Sequence, residues 1–165
     1  MATVIAPEEL YFGAPTTLTF NNVDVGATVD APKVSFAVTN YTPDFQNAKG
    51  PIVGTVITTK VIPSVEFTVN QITAEKLGWA MPGSSGSSPI TWSPGRIASS
   101  AYHPLVLVGP GLDGRTMTVT LYNAMSADSQ EIEFSDGKVA GLKMKFTAYY
   151  DAATPDLAPF QITLS

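Results

Sequence analysis

The sequence predicts a mainly β protein: a β-sandwich or partly closed β-barrel with one short flanking α-helix, at about residues 73–81, and long assembly loops. Three observations lead there. Apolar and polar residues alternate with period two through most of the chain, which sends successive side chains to opposite faces of a strand. The 165 residues are interrupted by 13 Gly and 13 Pro, as many short strands and turns require. Only one stretch, TAEKLGWAMPG (73–83), carries the start and stop signals of a helix.

The elements follow in order. After an N-terminal arm (about 1–12), TTLTFNNVDVG (16–26) reads as a strand and turn. KVSFAVTNYT (33–42) reads as a strand with Val34, Phe36 and Val38 on one face. PDFQNAKGPIVG (43–54) has the Pro, Asn and Gly of a loop, and it is long for a simple hairpin. TVITTKVIPSVEFTVN (55–70) is the longest strand, which Pro63 is expected to break in two or to place at an edge or bulge. Its residues Val65, Phe67 and Val69 share one face, Glu66 and Thr68 the other. In the helix, Thr73 suits the N-cap and Glu75 the first turn. Ile72 and Leu77 form a hydrophobic staple, and Leu77, Ala80 and Met81 give one apolar face. Two turns are too few to be stable alone, so the helix must dock on something.

Residues 83–104, GSSGSSPITWSPGRIASSAYHP, read as an irregular connection. PLVLVG (104–109) is a short apolar strand, joined through PGLDGR (110–115) to the strand TMTVTLYNAM (116–125). QEIEFSDGKVAGLKMKFTAYYD (130–151) reads as a tight hairpin around Ser135-Asp136-Gly137, and PFQITLS (159–165) as a terminal strand. No short repeat is present, and residues 1–165 read as a single domain.

Composition excludes several function classes. Charged residues make up 14% of the chain, well below the roughly 25% of an average soluble domain. Such neutral surfaces are cheaper to bury against partners. A net charge of −5 with no Lys/Arg run argues against gripping nucleic acid through its phosphates. With no cysteine, disulfide scaffolds, thiolate zinc sites and cysteine nucleophiles are excluded. The start, MATVIAPEELYFG, lacks the features of a secretory leader, and no apolar run approaches a membrane span. The expectation is a protein made in a cytoplasm, soluble and without membrane contact.

The chemical motifs mostly dissolve on inspection. GPGLDG (109–114) spells a dinucleotide fingerprint, but a strand rather than a helix follows it. GSSGSS (83–88) misses the serine nucleophile elbow at position 87. His103, the single histidine, precedes Pro104 in a loop and suits a surface or core contact better than catalysis. Glu131 and Glu133 share a strand face, where solvation explains them better than acid–base work. Asn40-Tyr41-Thr42 matches a glycosylation sequon without a secretory context. No basic residues interleave with Tyr149-Tyr150, Trp79 or Trp92 to make a base-stacking platform. The reading is therefore no enzyme, no cofactor and no metal.

The order of the segments resembles the phage tail tube (major tail) proteins. The resemblance rests on ELYFGAPTTLTFNNVDVGAT, the loop FQNAKGPIVGT, and VEFTVNQITAEKLGWAMPG, where Ile72 replaces the usual leucine of an L-T-x-E-x-L helix start. TVTLYNAM, EIEFSDGKVAGLKMKFTAYYD and PFQITL continue it, so most of the chain is covered. The resemblance implies a virion protein, of a long non-contractile tail by preference. Its subunits would assemble into rings, commonly hexameric, that stack into a hollow conduit for DNA. The implied partners are further copies of itself and the tape-measure, tail terminator and distal tail or baseplate proteins. Double-stranded DNA would pass through without specific binding.

Residue patterns fit that expectation. Exposed sheet edges template pairing with another chain, and head-to-tail contacts that close make rings. Net acidity would keep DNA from adsorbing to a channel wall, within the reach that salt leaves. The loop 43–54 and the segment 83–100 are candidate inter-subunit arms, with Phe45, Pro51, Leu77, Trp79 and Trp92 as candidate contacts. Glu66, Glu131 and Glu133 are candidate lumen-facing acids, although the same positions would suit the outer surface. The helix either contributes to the seam between neighbours or only caps its own core. The alternative to a tube subunit is a non-enzymatic β-sandwich binding or decoration module on a virion or cell surface.

Overall fold

The computed structural model describes residues 15–44, 50, 52–111, 114–126, 130–134, 136 and 140–165. β1 (Thr17–Phe20) and β2 (Val23–Asp24) are joined by Asn21 and Asn22, both at positive φ (53° and 61°). That pair of left-handed residues is what a two-residue hairpin turn demands, and asparagine tolerates it. Then come β3 (Lys33–Tyr41), β4 (Ile57–Val69), α1 (Ala74–Ala80), β5 (Ser84–Ser85) and β6 (Thr91–Trp92). β7 (His103–Pro110), β8 (Thr116–Ser126), β9 (Glu131–Glu133), β10 (Gly141–Ala148) and β11 (Phe160–Leu164) complete the chain.

One antiparallel sheet runs β2-β1-β7-β8-β10-β4-β3, with β11 added to β8 and β9 to β10, and it does not close into a barrel. The bend sits at β8. One edge of β8 pairs with β7 from Thr116 to Ala124; the other pairs with β11 at Met117–Leu121 and with β10 at Ala124–Ser126. A strand with two partners on one edge belongs to both layers of a sandwich. The rings confirm the folding-over: Phe20 on β1 lies 4.6 Å from Phe146 on β10, although β7 and β8 separate those strands in the sheet.

The core is the inward row of each strand. Leu18, Phe20, Leu105, Leu107, Val119 and Leu121 come from one layer; Val65, Phe67, Leu142, Met144 and Phe146 come from the other. Helix α1 closes one end. Thr73 Oγ1 accepts from the Lys76 N–H at 3.2 Å, as the cap signal requires, and the Met81 N–H bonds back to the Leu77 carbonyl. Ala80 is buried, while Ile72, Leu77, Trp79 and Met81 rest against the core. Trp79 meets Phe20 edge-on at 5.4 Å.

Four readings meet their outcome here. Pro63 does not break β4, which runs unbroken for 13 residues with Pro63 buried. Of the alternatives, the edge holds: pairing with β10 ends at Ser64, so the missing N–H of Pro63 points where no β10 strand remains. The segment 83–104 is more ordered than a linker, since β5 and β6 pair and a 3₁₀ turn follows at Ser99–Ala101. Gly86 shapes that small hairpin at φ +85°, and a Cβ there would stand 2.5 Å from the Pro89 carbonyl oxygen. In the 130–151 hairpin, Glu133 pairs with Gly141, and Ser135 and Gly137 of the expected turn lie outside the described residues. Finally, Val34, Phe36 and Val38 share one face as expected, opposite Val65, Pro63 and Val61, and Val34 packs against the core.

Phe146, in ring contact with both Phe20 and Phe67, is the test of this architecture. Phe146→Ala is expected to lower unfolding free energy by about 3–5 kcal/mol in urea titration, the cost of an unfilled aromatic site.

Candidate assembly surfaces

Beyond Ser64, β4 outruns β10 and carries β3 with it as a two-stranded arm. Its base is fastened by Tyr150, which follows β10. The Tyr150 hydroxyl donates to the Val61 carbonyl at 3.1 Å and accepts from the Val61 N–H at 3.2 Å, standing in for the missing strand. Opposite residues share a face, so Phe36 with Pro63 and Val38 with Val61 extend the row begun by Val34 and Val65. The core face thus continues past the end of the core. Phe36 finds Phe160 of β11 at 5.2 Å, but Val38 stays 54% exposed. After a register shift at Thr39/Asn40, Tyr41 and Ile57 face each other, each 57% exposed. The connection adds exposed Ile52, Val53 and Val56. Among the described residues, β3 pairs with β4 alone, so its outer edge is open.

A second surface is charged. Glu66 lies opposite Lys33 on one side and Lys145 on the other, and Glu131 lies opposite Lys143. The three glutamates named from the sequence do share one face: Glu66, Glu131 and Glu133 line a shallow depression with Asp30, Lys33 and Lys143. Interleaved lysines were the part that strand-by-strand reading missed. They become visible only when register sets Lys33, Lys143 and Lys145 beside the glutamates. The face is a mixed ladder in which lysines alternate with a slight excess of carboxylates.

Within it, Lys143 Nζ and Glu66 Oε1 form a 2.9 Å ion pair, with both side chains substantially exposed. The hydrogen bond from Lys143 holds the Glu66 carboxyl below the usual glutamate range, against slight desolvation and helped by the charges of Lys143, Lys33 and Lys145. The same hydrogen bond raises the Lys143 ammonium. At this exposure the pair is screened by solvent and adds little stability.

The remaining predicted contacts are dispersed. Phe45 and Pro51 lie outside the described residues. Leu77 and Trp79 sit against the subunit's own core, as the capping role of the helix requires. Trp92, 60% exposed, lies beside the Met81–Pro82 end of the helix, and its indole N–H donates to the Pro82 carbonyl at 3.3 Å. His103 stands edge-on to Phe20 at 5.5 Å, a core contact. GPGLDG lies between β7 and β8, and its Leu112 and Asp113 are outside the described residues. Among the described residues, no cluster of acidic and histidine side chains could hold a metal ion. No helix among them is long and apolar enough to cross a membrane.

The ion pair predicts a pH signature. A carboxyl whose folded pKa is depressed stabilises the fold above its unfolded pKa and loses that contribution as pH falls through the folded value. The raised Lys143 contributes below the ordinary lysine range and loses its share as pH rises through its higher pKa. By NMR titration, Glu66 should therefore titrate below an ordinary glutamate, and Lys143→Met should move it back up. Neither a scan against protein-family models nor a search of curated proteins finds a match for this chain, so function is argued from these surfaces.

Proposed function

We propose that this chain is a structural subunit that self-assembles into stacked rings, the wall of a phage tail tube through which DNA passes to the host. The observation that carries the reading is the arm. Its apolar row, Phe36, Val38 and Val61, has the pattern of a buried face, yet the subunit covers only the part nearest the body. A face patterned for burial and left open calls for another chain. Among the described residues the outward-facing backbone groups along the nine-residue edge of β3 have no strand partner, and that edge is offered to the incoming chain. A head-to-tail contact of arm onto neighbour is the kind that closes into rings.

The charged ladder suits the channel side. Each lysine on it has a carboxylate close by, so passing phosphates meet no uncompensated cationic cluster. The chain's net charge of −5 adds weak repulsion. The partners in this reading are further copies of the chain, with tape-measure, terminator and distal tail proteins at the ends of the tube.

Negative-stain electron microscopy over a concentration series, with light scattering alongside, tests the proposal. Rings or hollow tubes are expected from the intact protein. Val38→Glu should abolish them while shifting unfolding stability by less than about 0.5 kcal/mol, since the site is exposed in the free subunit. A protein that stays monomeric at every concentration, or a Val38→Glu variant that assembles normally, would overturn the reading.

A further inference from the structure

A groove of about 350 Å³ opens where β8, the end of β10 and the 3₁₀ turn before β7 meet. It is lined by Ser99, Tyr102, Asn123, Tyr149, Tyr150 and Asp151. Three tyrosines in one groove are conspicuous in a chain with 6. The Tyr102 and Tyr149 rings stand nearly perpendicular, at 85° with centroids 5.2 Å apart, so the two together form an L-shaped aromatic corner. All three tyrosines are half-buried, fixed by neighbours on one side and open on the other. Aromatic platforms of this kind cost little entropy when a ligand arrives.

The polar groups around the corner are only partly used by the fold. The Tyr150 hydroxyl is committed to Val61, and one Asp151 carboxylate oxygen accepts from the Ala153 N–H at 2.9 Å. The Asn123 side-chain amide and the Tyr102 hydroxyl make no hydrogen bond among the described residues. The groove therefore offers ring surface flanked by an amide that can donate and accept, a hydroxyl, and a carboxylate oxygen that accepts. A purely apolar ligand would leave those groups unsatisfied. A phosphate or sulfate would meet the Asp151 charge with no cation lining the groove.

From this composition we propose that the groove is a binding site for a neutral saccharide of one or two sugar rings. A pyranose presents an apolar C–H face that lies flat on an aromatic ring, and its edge carries hydroxyls that both donate and accept. The L-shaped corner supplies the platform, and Asn123, Asp151 and Tyr102 supply partners for the hydroxyl edge. The volume falls in the range of small-ligand sites. The site is independent of the tube reading, since an assembling subunit and a solitary module could each carry it. Binding and assembly are read by separate experiments.

Saturation-transfer NMR on the full chain, with maltotriose, cellotriose and N,N′-diacetylchitobiose as probes at millimolar concentration, tests it. At least one probe is expected to receive saturation and to shift the Asn123 side-chain amide resonances. Tyr102→Ala and Asn123→Ala, each checked for an unchanged melting profile, should weaken that binding about tenfold or more, equivalent to the loss of about 1.4 kcal/mol. No transfer to any of the three probes would overturn the proposal. So would transfer that persists undiminished in both variants, or tighter binding of a sulfated disaccharide than of the neutral probes.

Discussion

The structure depends on one strand serving two sheets. β8 gives one edge, from Thr116 to Ala124, to β7 and divides the other edge between β11 and β10. Backbone groups must find partners wherever they are buried, and this division satisfies them while turning the sheet through a corner. Because of that corner, inward residues of strands far apart in the sheet order meet, Phe20 with Phe146 above all. The core is a consequence of the bend, and α1 is needed because the bend leaves one end open.

The same division limits how far the second layer can extend. β10 is eight residues long and β4 thirteen, so β4 and its partner β3 project beyond the layer they belong to. Tyr150 marks the boundary, taking up the N–H and C=O of Val61 where β10 has run out. Past it no opposing layer covers the hairpin among the described residues, yet its residues keep the alternation of a half-buried strand. In a monomer that pattern conflicts with its surroundings. In an assembly it does not, and such local conflicts are where function is expected to sit.

Much of this was legible in the sequence, because strands and caps are local. Val65, Phe67 and Val69 face inward as their alternation requires, and Thr73 caps the helix. What escaped was non-local. Whether Pro63 breaks β4 or sits at an edge depends on where β10 stops, which is set by Ser64 meeting Thr147, 83 positions later. Periodicity placed Phe36 and Val38 on one face with Val34, but it does not record whether anything lies opposite that face. The glutamates were found on their strands, but the lysines that neutralise them come from β3 and β10, and only register brings them together. The tyrosine groove was passed over because Tyr102 lies 47 positions from Tyr149 and neither has a basic neighbour to draw attention.

An exposed apolar strip beside an open strand edge would ordinarily be a liability, since it invites indiscriminate pairing. The arm carries partial safeguards. Its second face interrupts the apolar pair Ala37 and Ile62 with Ser35, Thr39 and Lys60, and Lys33 opens the edge strand with a charge. The register shift at Thr39/Asn40 twists the distal part away from a flat template, and the Thr58 and Thr59 hydroxyls are tied back to β3 at Asn40 and Thr39. These devices weaken promiscuous edge pairing without covering the apolar strip. What remains favours a partner that engages strip and edge together, in one register and one orientation. A second copy whose surface matches the arm meets that demand at every position around a ring, and a partner matching only one of the two surfaces does not. In the proposed assembly, the arm's open edge and its polar side chains would supply the selectivity, and the apolar strip the driving force.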